Sequence, residues 1–229
     1  LIISFLIRQS YKNNCNVVLL FFKLFFMKNS ILVLFLFTVF GMSAQDAYTK
    51  EIMTYHYEQN LKFHNKETSP LTAKDLKKFS ALPFYKIDKK FKVTAKLVKE
   101  KDPVIFEMQT TTNRKPLYVK YGVLTFTIDG KEQTLTIYQN KDFDRDPQYK
   151  DYLFLPFTDK TSGNESYGGG RYLDVLTTDE NADGTITIDF NKSYNPYCAY
   201  NSTYSCPLTP KENTVSISLK AGVKVFKKH

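Results

Sequence analysis

Histidine and cysteine are scarce in this chain of 229 residues, with three of each: His56, His64 and His229, Cys15, Cys198 and Cys206. A structural zinc site takes four such ligands at short spacings, and no second pair stands beside either group, so no metal site is expected. No Gly-Lys-Ser/Thr follows the one glycine run, which excludes a phosphate loop. Repeats, low-complexity tracts and long linkers are all absent, which leaves a single domain with a sizeable core. No sequence feature specifies a cofactor.

Acidic residues are missing from positions 1–44, which carry only Arg8, Lys12, Lys23 and Lys28 as charges. Within that stretch "MKNSILVLFLFTVFGMSAQ" has Lys28 as a short basic region. An apolar run from Ile31 to Phe40 follows, then the small residues Ser43 and Ala44. That is the layout of a secretory signal peptide over 27–44, starting at Met27 and cut after Ala44. Residues 1–26 read as upstream sequence translated from a misassigned start. A membrane anchor over 16–40 is the alternative, but Lys23 and Lys28 interrupt it and a span wants about 20 apolar residues. The expectation is a protein with no stable membrane span after cleavage, periplasmic or secreted.

Without those four cations the net charge falls from +9 to +5. So small a surplus gives little support to nucleic-acid binding. Only Cys198 and Cys206 remain, and an even pair in an exported chain favours a disulfide. A metal grip or reactive thiols are the other readings.

Residues 45–229 read as one mainly β domain, an antiparallel sandwich or barrel-like sheet with two N-terminal helices. Met53, Tyr57, Leu61 and His64 recur at helical spacing, predicting an amphipathic helix from Ala47 to Asn65. His56 and His64 read as surface and rim positions of it. Thr72 and Asp75 resemble a capping box that opens a short second helix ending at Phe79. From Phe91 the period becomes two, with lysines on a wet face. Asp129-Gly130 signals a hairpin. Leu117, Val119 and Tyr121 are out of phase with Leu124, Phe126 and Ile128, so a bulge is expected at Gly122. Further strands are read in "DYLFLPF", "RYLDVLTT", "GTITIDF" and "TVSISLKAGVKVF", eight or nine in all. "DENADGT", Asp179 to Thr185, is half a calcium loop by its letters. It lacks the twelfth-position Glu, and a turn explains it equally.

Two stretches carry the unusual residues. In "SYGGGRYLD", Gly168, Gly169 and Gly170 lie between Tyr167 and Arg171. Such a bare backbone means unusual dihedrals or a close approach. Arg171 is placed to grip a carboxylate or phosphate, or to pair with Asp174, Asp189 or Glu212. "DFNKSYNPYCAYNSTYSCPLTP" holds both cysteines among tyrosines and prolines.

At these residues the chain resembles an uncharacterised, mainly bacterial family, domain of unknown function 1684. The likeness runs from "SPLT" at Ser69 through "LPFYKID" (Leu82 to Asp88), Tyr121-Gly122, "LFLPFTDKTSGNESYGGGRYLD" and "DFNKSYNPYCAYNSTYSCPLTPKEN". It ends at "KAG" (Lys220 to Gly222), with Val223 standing where a closing acid is expected. The resemblance implies no activity. It does place Asp159, Gly163, Tyr167, Gly170, Arg171, Asp189, Asn191, Tyr194, Asn195, Cys198, Cys206, Glu212 and Asn213 in the family signature. A site and a buried brace look alike at this level.

The expected function is binding of a small anionic ligand where the two stretches meet at the end of the sheet. Arg171 would anchor the anion, Asp189, Asn191 and Asn195 would orient it, and Tyr167, Tyr194 and Tyr197 would wall it. Gly168, Gly169, Gly170, Glu212 and Asn213 complete the expected site. The rival is a hydrolase with Asp189 and Glu212 as acid and base and Arg171 stabilising charge. A structural or interaction protein is the third reading.

Overall fold

The computed structural model describes residues 47–143 and 146–227. The readings of 1–26 and 27–44, Cys15 and His229 lie outside them. Lys50–His229 make one compact unit, and among the described residues no helix is long and apolar enough to cross a membrane.

Seven strands make one curled antiparallel sheet: β1 (Lys92–Lys99), β2 (Phe106–Glu107), β3 (Leu117–Ile128), β4 (Lys131–Asn140), β5 (Tyr152–Phe157), β6 (Arg171–Leu176) and β7 (Thr185–Asp189). The order across the sheet is β6-β5-β4-β3-β1-β7, with β2 attached to β3. The barrel-like expectation therefore holds as an open half-barrel accompanied by two helices. Strand β1 buries alternate residues and keeps its lysines wet, as its period requires. Asp129 and Gly130 both have positive φ, 50° and 72°, the pair that a tight hairpin between β3 and β4 needs.

The expected bulge is present, with the β3–β4 register shifting between Lys120 and Gly122. Its cause is crowding from β1. A Cβ on Gly122 would sit 2.6 Å from the Val98 carbonyl oxygen and 2.8 Å from Leu97 Cδ1. The inner face of the sheet carries the main core, including Leu124, Ile137, Leu155, Ile186, Ile188 and Phe190. Each of these large apolar side chains contributes about 1.5–3 kcal/mol by leaving water.

Two sequence expectations need correction. Helix α1 (47–64) does form, but Met53, Tyr57 and Leu61 face solvent. Ile52 and Phe63 are buried instead, with Tyr55, His56 and Gln59 partly covered along the same side. His56 stacks on Phe84 with ring centroids 3.7 Å apart and its Nε2 lies 2.9 Å from the Asn191 carbonyl. Burial pulls its pKa below the ordinary imidazole value. His64 stays exposed. The second helix, α2 (Ala73–Leu76), is capped by Thr72 Oγ1, which accepts from the Asp75 amide at 3.2 Å, but it stops short of Phe79.

The other correction concerns residues 214–226, which form no ladder strand. They run as a strap that buries Val215, Leu219, Ala221 and Val223 against the core. Its bridges are isolated, Thr214 to Thr158 and Val223 to Phe84. Alternating burial is satisfied without a ladder strand because its carbonyls are shared between backbone amides of flanking segments, as from Lys160 to Ile217 and from Tyr85 to Gly222, and a side chain described below.

Asn213, expected in the ligand site, is a strut of the sheet. Strands β4 and β5 pair at Tyr138–Phe154 alone, and the amide of Asn213 fills the gap beyond. The Thr136 amide donates to its Oδ1 at 2.9 Å, while its Nδ2 lies 2.7 Å from both the Thr136 and Pro156 carbonyls. Asn213→Ala should leave those buried groups unpaired, at a cost of about 3 kcal/mol. The expected reading is a lower urea midpoint with an unchanged m-value; a change below about 0.5 kcal/mol, as at an ordinary surface position, would count against the strut.

Candidate functional site

The glycine run opens strand β6, and its close approach is to the cysteine segment. A Cβ on Gly170 would lie 2.5 Å from Thr209 Oγ1 and 2.7 Å from the Phe157 carbonyl, at a φ of +93°. Thr209 Oγ1 donates to the Gly169 carbonyl at 3.0 Å. The Tyr167 side chain reaches the Cys198 thiol. The two unusual stretches therefore do come together. Tyr167 and Gly168 line a separate cleft of about 360 Å³ with Gly163, Asn164 and Lys227.

Arg171 faces the other way and is 1% exposed. Its Nη2 lies 2.6 Å from Asp159 Oδ2 and 2.7 Å from the Leu219 carbonyl, and its Nη1 bonds to the Ala221 carbonyl. The anion-anchor reading is thereby corrected. Both Nη atoms are engaged, by a carboxylate and by the strap, while the buried Nε has no partner; the carboxylate is Asp159 rather than Asp174, Asp189 or Glu212.

Asp189 and Asn191 are also internal. Asp189 Oδ1 accepts from the Asn191 amide and from Asn191 Nδ2, both at 3.0 Å, which holds a 3₁₀ turn at the end of β7. Asn191 ties that turn to Asp88 by a second pair of bonds. Glu212 is half-exposed at the sheet surface, taking the Tyr138 hydroxyl at 3.1 Å and Lys120 Nζ at 3.3 Å. Asp189 and Glu212 share no cleft. Asp183 is used within its own turn, accepting from the Thr185 amide at 3.0 Å and its hydroxyl at 2.7 Å.

The expected disulfide is not formed: Cys198 and Cys206 are free thiols. They lie side by side, the Cys198 amide donating to Cys206 Sγ at 3.2 Å. The Cys206 thiol donates to Cys198 and draws its pKa down to about 7, with the Tyr167 and Thr111 hydroxyls helping and burial opposing. Cys206 is pushed up as the donor. The pair can therefore hold one thiolate near neutral pH.

A cleft of about 340 Å³ lies on the face of β6 opposite the main core. Its walls come from α1 (Tyr55, Gln59, Lys62), from β6 (Tyr172, Asp174) and from 193–206 (Tyr194, Asn195, Tyr197, Tyr204). The tyrosines interlock edge to face: Tyr172 on Tyr194 with centroids 6.0 Å apart, Tyr197 on Tyr204 at 5.3 Å. Tyr194, Asn195 and Tyr197 are the expected site residues that do line this cleft, and Cys206 lies on its wall.

Asp174 was weighed in the sequence only as a partner for Arg171. Its signal was a carboxylate amid the apolar residues of β6. Both Tyr152 and Tyr194 donate to its Oδ1 at 2.5 Å. It is open to solvent through the cleft yet crowded by protein. That desolvation raises its pKa, against the pull of the two hydroxyls and of Lys62. Asn195 is 1% exposed; its Nδ2 donates to the Lys224 carbonyl at 2.9 Å, while its Oδ1 has no partner.

Fold and site together define an open half-barrel β domain with an aromatic cleft against its edge strand. The chain belongs to the family described as "Protein of unknown function (DUF1684)", whose model matches residues 77–224. It is also similar to an uncharacterised protein of Haloarcula marismortui solved by solution NMR. The two are 30% identical over 82% of this chain and 99% of that one, with a TM-score of 0.62. No curated protein matches.

Two outcomes are expected. Arg171→Met should strand Asp159 and the strap carbonyls, costing about 3–5 kcal/mol in a denaturant titration. Iodoacetamide labelling of Cys198, read by peptide mass, should rise through about pH 7. In Cys206→Ala that midpoint should return toward the ordinary thiol value of about 8.5; an unshifted midpoint would mean that Cys206 is not the donor.

Proposed function

We propose that this domain binds a small ligand in the tyrosine-walled cleft. One observation carries the reading: Asp174, whose Oδ1 takes two tyrosine hydroxyls and leaves Oδ2 open, and Asn195, whose buried Oδ1 has no partner, stand on the walls of a single aromatic concavity. Buried acceptors are normally satisfied, and a volume of about 340 Å³ lies at the small end of known ligand sites. Tyr194 and Asn195 keep the roles expected of them, as wall and orienting group. The anionic ligand gives way with the loss of Arg171 as its anchor.

The hydrolase reading loses its pair of carboxylates, since Asp189 caps a buried turn and Glu212 stands at the surface with Lys120. Export remains our proposal from the basic-then-apolar pattern of 27–44. Under it the neighbouring thiols would meet an oxidising compartment and close to a disulfide.

A test is amide chemical-shift mapping of the full-length protein against a library of small fragments. Binders should perturb residues 193–206 and β6. Tyr197→Ala should weaken them about tenfold, an aromatic contact being worth about 1 kcal/mol. Perturbations confined to the Gly163–Gly168 cleft would move the site there and end this reading.

A further inference from the structure

We propose that the ligand carries a cationic amine, held by Asp174 in the cleft with the tyrosine rings around it. This rests on the cleft being the binding site and names the chemistry it selects.

The first argument is donor–acceptor count. Both hydrogen bonds to Asp174 fall on Oδ1, from Tyr152 and Tyr194, so Oδ2 still faces the cleft with its lone pairs open. Asn195, on the same walls, has a buried Oδ1 without a partner, and one N–H of its Nδ2 goes to the Lys224 carbonyl. A carboxylate or phosphate brought to Asp174 Oδ2 would meet a like charge. An ammonium has three donors to give and no acceptor.

The second argument is charge. A carboxylate among aromatic side chains is costly unless it is countered. A neutral hydroxyl would satisfy its lone pairs and leave its charge; a cation satisfies both.

The third is that the walls already tolerate such a group. The only cationic side chain of the lining, Lys62, places its Nζ 5.7 Å from the Tyr197 ring centroid, within the range of cation–π attraction. Lys62 is exposed, so its ammonium is the internal occupant that an amine ligand would supplement or displace.

The experiment is calorimetric titration of full-length protein with three probes of matched shape: 2-phenylethylamine, 2-phenylethanol and phenylacetate. The amine should bind at least roughly tenfold tighter than either other probe, as a charge-matched pair out of water requires. Asp174→Asn, which keeps an acceptor for Tyr152 and Tyr194, should erase that preference. Lys62→Ala should tighten the amine severalfold, and it tests the idea even if the Asp174 variant folds poorly. The alcohol or the acid binding as well as the amine would overturn the cation while leaving the cleft as the site. Weaker amine binding in Lys62→Ala would do the same. If no probe shifts the 193–206 amides, the cleft and its cation fall together.

Discussion

The fold depends on one buried guanidinium. Arg171 joins the start of an edge strand to Asp159 and to the carbonyls of the C-terminal strap. Burying a lone charge is expensive, and a paired charge is tolerated only when its remaining hydrogen bonds are also met. The strap supplies them at both Nη atoms, while the buried Nε has no partner. The rest of the strap is held by backbone bonds to flanking segments, such as Lys160 N–H to the Ile217 carbonyl and Tyr85 N–H to the Gly222 carbonyl. Side chains complete the polar closure of the half-barrel: Arg171 at the strap, Asn213 between β4 and β5, Asn191 between the end of β7 and Asp88. These are three of the residues whose chemistry looked most like that of a ligand site.

That use of polar residues explains where the cleft lies. With the strap held by Arg171, the backbone before it is free to cover the outer face of β6. The Tyr194 backbone bridges Tyr172, and the next residues turn away through Pro196 toward the two thiols. The turn leaves Asp174, paired with Phe154 in the β5–β6 ladder, holding the hydroxyls of Tyr152 and Tyr194 on its carboxylate. The glycine run serves the same geometry, letting Thr209 pack against backbone at Gly169–Gly170. The glycine run is thus a packing joint that brings the cysteine segment close.

Local features were legible in the sequence wherever one short-range rule decides. Asp129-Gly130 has few alternatives to a tight hairpin, the change of parity at Gly122 requires a bulge, and Thr72 caps its helix. Features set by long-range competition were not. Helix α1 has apolar residues on two faces, and only the position of Phe84 and the 190s decides that Ile52 and Phe63 go inside. The strap alternates like a strand, but periodicity reports burial and says nothing about who accepts the hydrogen bonds. Arg171 and Asp159 are twelve positions apart, on no shared period. The cleft is harder still, since Tyr55, Asp174 and Tyr204 come from a helix, a strand and a loop that no motif links.

The contrast between the two buried or crowded aspartates separates brace from site. Asp159 is sealed, its carboxylate matched by a guanidinium with side-chain exposure of 1% or less on both partners. Nothing further can be done with such a group except to hold the fold. Asp174 is surrounded by protein and still reachable, with two neutral donors on one oxygen and an open second oxygen. Neutral hydroxyls orient a carboxylate without cancelling its charge, so the unpaid electrostatic cost stays in the cleft. A fold that engages Asn191 and Asn213 in paired hydrogen bonds leaves this oxygen open on the wall of the cleft. A molecule that brings donors and positive charge there gains what the protein has not spent on itself.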